Sequence, residues 1–158
     1  MLTNKAQSLT YDFFIALAIF FIILTIAMGY WYYLTVQMED NARRNLASKT
    51  LLSASQVWFK EGYPKYWDIS NVLELGLANE GKINSTKMEM LSQLNYSKVA
   101  YLLSLGTFNL KYEVYNKTNL IFQFPINSDF SSAKNVYKIE RIGILDEKPV
   151  KVRTIIWD

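Results

Sequence analysis

The pattern of apolar and polar residues begins with one long apolar segment. Residues 13–34 (FFIALAIFFIILTIAMGYWYYL) are 22 residues without a charge. At 1.5 Å per residue, a helix of this length covers about 33 Å, which is enough to cross the hydrocarbon core of a bilayer. A helix of a soluble domain this small would not stay apolar on every face for so long. The pattern therefore predicts a membrane-spanning helix.

Four consecutive aromatic residues close this segment at positions 30–33. Tyr and Trp are enriched where the hydrocarbon core meets the head groups, so the cluster indicates an interfacial belt. A run of core aromatic residues is the alternative. The flanking charges do not decide the orientation, because Lys5 precedes the segment while mixed acidic and basic residues follow it at 39–49.

The helix is expected to continue beyond the membrane. Apolar residues recur at loosely helical spacing over 35–60, and neither Gly nor Pro interrupts the pattern before Gly62 and Pro64. A continuous helix from about residue 8 to about residue 60 would be roughly 80 Å long. We assign 7–34 to the membrane-spanning helix and 35–61 to its continuation beyond the membrane.

A connecting region with short helices is expected over 62–107. Thr86 and Glu89 have the spacing of a capping box, and Ser97 is a candidate cap for a last short helix. Three aromatic residues here are interpreted as core or lid rather than as a ligand site: Tyr63, Tyr66 and Trp67.

Period-two alternation then predicts strands within 108–158. The candidate strands are 108–115, 120–124, 136–145 and 150–157. A four-residue loop at 116–119 and a turn at 146–149 join them into two hairpins. The predicted fold class is α+β: a long N-terminal transmembrane helix continuing into a head with short helices and a C-terminal antiparallel sheet of about four strands. One face of the sheet is expected to pack on the upper half of the helix.

Composition narrows the function classes. Of 158 residues, 51% are hydrophobic and 15% aromatic, so the chain can bury a core. The net charge of +3 comes from scattered Lys and Arg, which does not indicate a nucleic-acid surface. Cys and His are both absent, which removes thiolate ligands, the commonest metal ligand and the commonest general base. We expect no enzyme activity, no catalytic residues, no metal and no cofactor.

The first residues, MLTNKA-QSLTYDFF, place a small residue before the apolar run rather than after it. An ordinary secretory signal peptide is cut after its apolar run. This start resembles the class III, prepilin-type signal peptide of archaeal type IV pilin-like proteins. The resemblance implies that residues 1–6 are a leader with Lys5 before the cut, and that a prepilin peptidase cuts between Ala6 and Gln7 on the cytoplasmic side.

Further stretches look like the same family. They are the connector segments 75–78, 82–84, 91–96 and 102–106 and the final strand 152–157. The resemblance implies a pilin-like architecture in which the apolar segment stays in the mature protein. One position departs from the bacterial pattern: the fifth residue after the cut is Glu in bacterial type IV pilins, whereas here it is Tyr11 and the acid is Asp12, one residue later.

Asp12 adjoins the apolar run, where an unpaired carboxylate at depth costs about 2.5–3.5 kcal/mol or more. After cleavage, the new ammonium of Gln7 in one subunit could pair with Asp12 of a neighbouring subunit. The alternative is that Asp12 lies among the head groups and interacts favourably with the helix N-terminus, for roughly 0.3–1 kcal/mol.

Three Asn-x-Ser/Thr sequons follow the span, at Asn84, Asn95 and Asn116. All three lie in predicted turns or helix starts, which fits N-glycosylation of an extracytoplasmic region. Chance is the alternative, because a chain this rich in Asn gives about 1.6 such triplets at random.

The leading functional hypothesis is a structural subunit, a minor pilin, of an archaeal type IV pilus-like surface filament with a role such as adhesion. Its partners would be membrane lipid, the prepilin peptidase, other pilin-like subunits and the assembly machinery. The N-terminus would be cytoplasmic and the C-terminal domain extracytoplasmic in a single-pass topology. The alternative is a permanently anchored extracytoplasmic binding module that does not polymerise.

Overall fold

The computed structural model describes the backbone of residues 3–158 and the side chains of residues 11–158. Helix α1 spans Thr3–Gln56, 54 residues without a break. The chain divides into two compact units, one up to Arg44 and the other Asn45–Asp158. The division falls inside α1, in the segment predicted to continue the transmembrane helix.

Helix α1 ends at Gln56, a few residues before the predicted end near residue 60. The backbone carbonyls of the residues after the helix accept hydrogen bonds from the connector and not from a further helical turn. Leu77 N donates to Val57 O at 2.8 Å, and Ala78 N donates to Lys60 O at 2.8 Å. Backbone groups need partners, and these partners come from a segment about 20 residues further along the chain.

The C-terminal unit holds six strands in one mixed sheet and two short helices. The strands are β1 (Ala78–Asn79), β2 (Lys82–Ile83), β3 (Asn109–Asn116), β4 (Asn119–Phe124), β5 (Val136–Leu145) and β6 (Lys148–Trp157). The helices are α2 (Ser85–Gln93) and α3 (Tyr96–Leu102). The strand order is β1-β2-β5-β6-β3-β4, so the last strand along the chain lies inside the sheet. The predicted α+β fold class is confirmed.

The four strands predicted at the C-terminus pair antiparallel, as expected. Two short strands that the pattern did not predict extend the sheet, and β2 pairs with β5 in parallel through Ile83 and Leu145. The connector therefore contributes to the sheet as well as leading to it.

Both predicted hairpins are present, with tighter turns than expected. Asn116 pairs with Asn119, so the first loop has two residues rather than four. Leu145 pairs with Lys148, and the two residues between them, Asp146 and Glu147, have φ of 48° and 61°. Positive φ at both central positions is the type I′ geometry, whose twist matches that of the flanking strands.

The caps of the short helices differ from the predicted ones. Asn84 is the N-cap of α2, and its side-chain oxygen accepts from Lys87 N at 3.0 Å, so the capping box at Thr86 is wrong. Asn95 is the N-cap of α3 and accepts from Ser97 N at 2.8 Å, so the prediction of Ser97 as the cap is also wrong. Asn is as good an N-cap as Ser and better than Thr, and each Asn lies two residues before the predicted cap.

The end of α1 packs on the inner face of the sheet within the C-terminal unit. Trp58, just past the helix, lies edge-on to Tyr112 of β3 with ring centroids 5.1 Å apart. Its indole nitrogen donates to Thr154 Oγ1 at 3.1 Å, and the hydroxyl of Tyr112 donates to Ala54 O at 2.7 Å. These side chains are buried, so the predicted packing of the sheet on the helix holds for this part of α1.

Candidate functional site

The apolar part of α1 is the most prominent surface of the N-terminal unit. One candidate membrane span is found among the described residues, within Tyr11–Gln56, with a mean hydropathy of 2.6 in its most apolar window. None of that window is buried by the rest of the chain. Large apolar side chains are exposed along its whole length, from Phe13 to Met28 and beyond. The chain therefore carries one helix that is long and apolar enough to cross a membrane.

Thr25 inside the apolar segment and Thr35 just after it have their hydroxyl hydrogens bonded to the helix itself. Thr25 Oγ1 donates to Phe21 O at 2.8 Å, and Thr35 Oγ1 donates to Trp31 O at 3.0 Å. Such bonds to the preceding turn hide a polar hydrogen that lipid cannot satisfy. The few polar residues in the segment are thus compatible with hydrocarbon around it.

The aromatic cluster at 30–33 is exposed on all four side chains. Successive residues of a helix point about 100° apart, so four in a row surround the helix axis. This arrangement suits an interfacial belt, and the interpretation as core aromatics has no support within this unit. The hydroxyl of Tyr33 accepts a hydrogen bond from Gln37 Nε2 at 2.7 Å. Gln37 belongs to the more polar part of the helix that follows the apolar segment.

The residues of the predicted cleavage site lie at the margin of what the structure describes. The backbone of Lys5, Ala6 and Gln7 belongs to α1, but their side chains lie outside the described residues. Asp12 is described and exposed, one residue before the apolar run. Cleavage and the pairing of Asp12 both stay predictions.

The three sequon asparagines lie in different settings, all in the C-terminal unit. Asn84 and Asn95 cap α2 and α3 through their side-chain oxygens, which are not the atoms that a glycan would modify. Asn116 ends β3 at the first hairpin, with Thr118 exposed in the loop. Their glycosylation stays a prediction.

A row of charged side chains crosses three strands on the outer face of the sheet. Arg153 of β6 donates to Glu113 of β3 at 3.0 Å and to Glu140 of β5 at 2.8 Å. Lys111 Nζ lies 3.1 Å from the other oxygen of Glu113, and the Tyr115 hydroxyl donates to Glu113 at 2.9 Å. Sequence patterns did not single out these residues, because strand register decides which of them meet.

Electrostatics within this row keep its acids ionised. Burial raises the pKa of Glu113, but hydrogen bonds from Lys111, Tyr115 and Arg153 outweigh burial and leave the pKa below its usual value. The hydrogen bond from Arg153 is the main reason that the pKa of Glu140 is also lowered. Both carboxylates of the row are paired with basic side chains, so the row is a set of cross-strand ion pairs that stabilises the sheet. Neither carboxylate is free to act as an acid or a base.

No cluster of three or more metal-ligating side chains occurs over residues 11–158. No protein-family model matches the sequence, and the searches of curated proteins and of solved structures also give no significant match. Fold and surface together define a chain with one candidate membrane-spanning helix and an α+β C-terminal unit.

Proposed function

We propose that this chain is a structural subunit, in a minor role, of an archaeal type IV pilus-like surface filament. A prepilin peptidase removes residues 1–6 on the cytoplasmic side. The apolar helix then leaves the bilayer and packs with the helices of neighbouring subunits, while residues 45–158 face the exterior. No catalytic step by this chain is involved.

The observation that carries the proposal is the apolar surface of α1, which is exposed on every face and is not covered by the rest of the chain. Such a helix needs either lipid or other apolar helices around it. A bundle of identical helices offers the second environment. When the contacts between subunits do not close a ring, the assembly grows as a helical filament.

Gly29 supports close packing of the helix with a neighbour. A Cβ placed on this residue would meet no atom of the chain within 4 Å, so the chain itself does not require Gly there. Small residues in apolar helices allow backbones to approach each other closely. The position of Gly29 within the apolar segment therefore favours a helix–helix contact between subunits.

The first experiment tests the leader. The full chain is produced in membranes with and without an archaeal prepilin peptidase, and the N-terminal mass is measured. We expect loss of residues 1–6 and a new N-terminus at Gln7, and no loss when Ala6 is replaced by Phe. An intact Met1 in the presence of an active peptidase would contradict the proposal and favour a permanently anchored binding module.

The second experiment tests the role of Asp12 in assembly. Asp12→Asn is expected to reduce the amount of the chain recovered in sheared filaments by about tenfold, because a charge pair in a dry bundle is worth more than the 1.4 kcal/mol that a factor of ten requires. Membrane insertion should be unchanged. Asp40→Asn, a matched change further along the same helix, should assemble normally. Equal incorporation of the two variants would rule out the pairing of Asp12 with the ammonium of Gln7.

A further inference from the structure

Strand β5 is an open edge of the sheet along most of its length. On one side it pairs with β6 from Val136 to Leu145. On the other side β2 pairs with it only through Leu145, and no further strand lies there in the part of the chain that the structure describes. Residues 136–142 therefore present a row of backbone N–H and C=O groups that a further strand could pair with.

The edge at the other end of the sheet is blunted, whereas the β5 edge is not. Strand β4 has a register shift against β3 between Val114 and Tyr115, and Pro125 follows its last residue. A β-bulge and a proline are two ways in which proteins keep an edge strand from pairing. Residues 136–142 contain neither proline nor glycine, and β5 pairs with β6 without a shift. Of the two edges, β5 is therefore the one suited to receive another strand.

The side chains of residues 136–142 have an order that suits antiparallel pairing with an identical strand. Alternate residues are exposed on the outer face of the sheet, in the order Val136, Lys138, Glu140 and Ile142. In an antiparallel copy this order is reversed. The cation of each strand then faces the anion of the other, and the apolar side chains at the two ends also face each other.

We propose that β5 pairs with β5 of a second copy of this chain, antiparallel and with Ile139 on the two-fold axis. Lys138 then faces Glu140 of the second copy, and the symmetry makes this ion pair twice. Val136 faces Ile142 of the second copy, also twice. The two six-stranded sheets join into one continuous sheet.

Charge complementarity selects this register over its neighbours. Moving the axis to Lys138 would put two ammonium groups opposite each other, and moving it to Glu140 would do the same with two carboxylates. Within one chain Lys138 Nζ lies 3.5 Å from Glu140 Oε1, and both side chains are partly exposed. With Ile139 on the axis, these two pairs form a group of four charges of alternating sign. A lysine on a free edge normally discourages pairing, and here a second copy supplies its counter-ion.

This contact goes beyond the proposed function and does not depend on it. The contact is isologous, so it closes on two copies and does not by itself extend a filament. Cleavage before Gln7 and incorporation of the Asp12 variant test the filament, and neither requires the β5 edge. Failure of one proposal therefore leaves the other standing.

The test uses two single-cysteine forms of the full chain, which has no cysteine of its own. Val136→Cys and Ile142→Cys replace side chains that are 45% and 78% exposed, so neither change should disturb the core. The two purified forms, one with a longer tag, are mixed in detergent micelles with a mild oxidant. Facing residues of an antiparallel pair have Cα atoms about 4.5–5.5 Å apart, within reach of a disulfide. Two copies of the same cysteine would lie about 20 Å apart along the strands.

We expect the mixture to give mainly the disulfide between the two forms, and each form alone to give little. Adding Lys138→Glu to both forms should lower the yield about tenfold, because like charges then face each other at two symmetric places. Lys117→Glu is the matched control, since it makes the same charge change in the exposed loop between β3 and β4 and should leave the yield unchanged. Lack of the mixed disulfide, equal yields from each form alone, or equal yields from the two Lys→Glu variants would each overturn the proposal.

Discussion

The hydroxyl of Tyr112 is a polar atom inside an apolar core, and its neighbours explain how the fold tolerates it. The ring packs against Trp58, and the hydroxyl donates to the carbonyl of Ala54 in the last turn of α1. That carbonyl also accepts a longer hydrogen bond from Val57 N, at 3.3 Å. One side chain thus joins the sheet to the end of the helix and satisfies a carbonyl that the ending helix would leave underused.

Tyr112→Phe should lower the free energy of unfolding of the C-terminal unit by about 1 kcal/mol, since it removes one buried hydrogen bond and keeps the ring. Urea unfolding followed by tryptophan fluorescence measures this change. Leu110→Ala, in the same strand and equally buried, is a control that should cost about 3 kcal/mol because it opens a cavity. A Phe variant as stable as the native chain would show that the hydroxyl adds nothing.

Tyr112→Phe should also change how the stability of the C-terminal unit depends on pH in alkaline solution. Burial raises the pKa of Tyr112 in the folded state far above the ordinary value of 10.0. A group whose folded pKa is raised contributes stability below its unfolded pKa and loses it as the pH rises through and beyond that value. The native chain should therefore lose stability above about pH 10 more steeply than Tyr112→Phe. Parallel curves would contradict this assignment.

For single residues, the sequence predicts that polar residues cap the short helices, but it does not always predict which residue is the cap. The pattern marks Asn84 and Asn95 as sequons and predicts Thr86 and Ser97 as caps, but the two asparagines are the caps. An N-cap is defined by the backbone angle at which the helix starts, and a propensity pattern locates that start only to within a residue or two. The buried hydroxyl of Tyr112 was also beyond reach, because its partner lies 58 residues earlier in the chain.

Among the strands, register decides what the side chains can do. The pairing of β6 with β3 and β5 puts Arg153 opposite both Glu113 and Glu140, so two acids share one guanidinium. Opposite charges at facing positions stabilise an antiparallel pair. A shift of β6 by one residue against β3 would put Arg153 on the wrong face and leave the buried Glu113 with Lys111 but without Arg153. The charged row therefore specifies register as well as adding stability.

Glu113→Gln should lower the free energy of unfolding at neutral pH by about 2 kcal/mol, because Arg153 and Lys111 lose their shared anion. In acid the difference should shrink. A carboxyl with a lowered folded pKa contributes stability above its unfolded value, here 4.5, and loses it as the pH falls through the folded value. Unfolding curves between about pH 5 and pH 2 measure this. Glu74→Gln, a change in an exposed pair, should have little effect.

Elements with enough residues to show a period could be predicted, and shorter ones could not. Strands β3 to β6 alternate over six to ten residues and were recognised. Strands β1 and β2 have two residues each, too few to show any alternation, and they exist because β5 offers an edge to pair with. The close contact of Gly62 with Gly76, where a Cβ on Gly76 would lie 2.1 Å from a backbone nitrogen, was likewise invisible in the pattern.

For the whole molecule, the two units differ in what they bury. Over residues 11–44 the N-terminal unit exposes most of its apolar side chains, whereas the C-terminal unit has a continuous core that includes the last turns of α1. The core side chains here are Ala47 and Ala54 of α1 and Val57 and Trp58 just after the helix. The boundary at Arg44 and Asn45 therefore separates a surface that needs lipid or partners from a region with a core of its own.

Residues 45–158 produced alone should remain in solution without detergent and unfold in one cooperative transition, while the full chain should partition into membranes. Sedimentation and urea unfolding measure the two properties. A shorter piece, residues 60–158, lacks the core side chains of α1 and should not fold. If both pieces behaved alike, the end of α1 would not be part of the folding unit.

Sequence predicts the features of the candidate site that depend on consecutive residues, and it does not predict those that depend on tertiary contacts. The apolar segment could be located from the sequence because hydropathy needs only consecutive residues. The charged row could not be found, since only the strand register brings Glu113 and Glu140 to Arg153. Tyr63, Tyr66 and Trp67 are together predicted to be core or lid; Trp67 is buried, while Tyr63 and Tyr66 are exposed.

The position of β6 has a consequence for how the chain matures. It follows the other five strands of the sheet along the chain, yet it lies between β5 and β3 and pairs with both. Until residue 157 has emerged, the nascent chain has two separated pieces of sheet with unsatisfied edges, and such edges attract chaperones, proteases and other nascent chains. The sheet of the C-terminal unit therefore cannot close until β6 is available to join its two pieces.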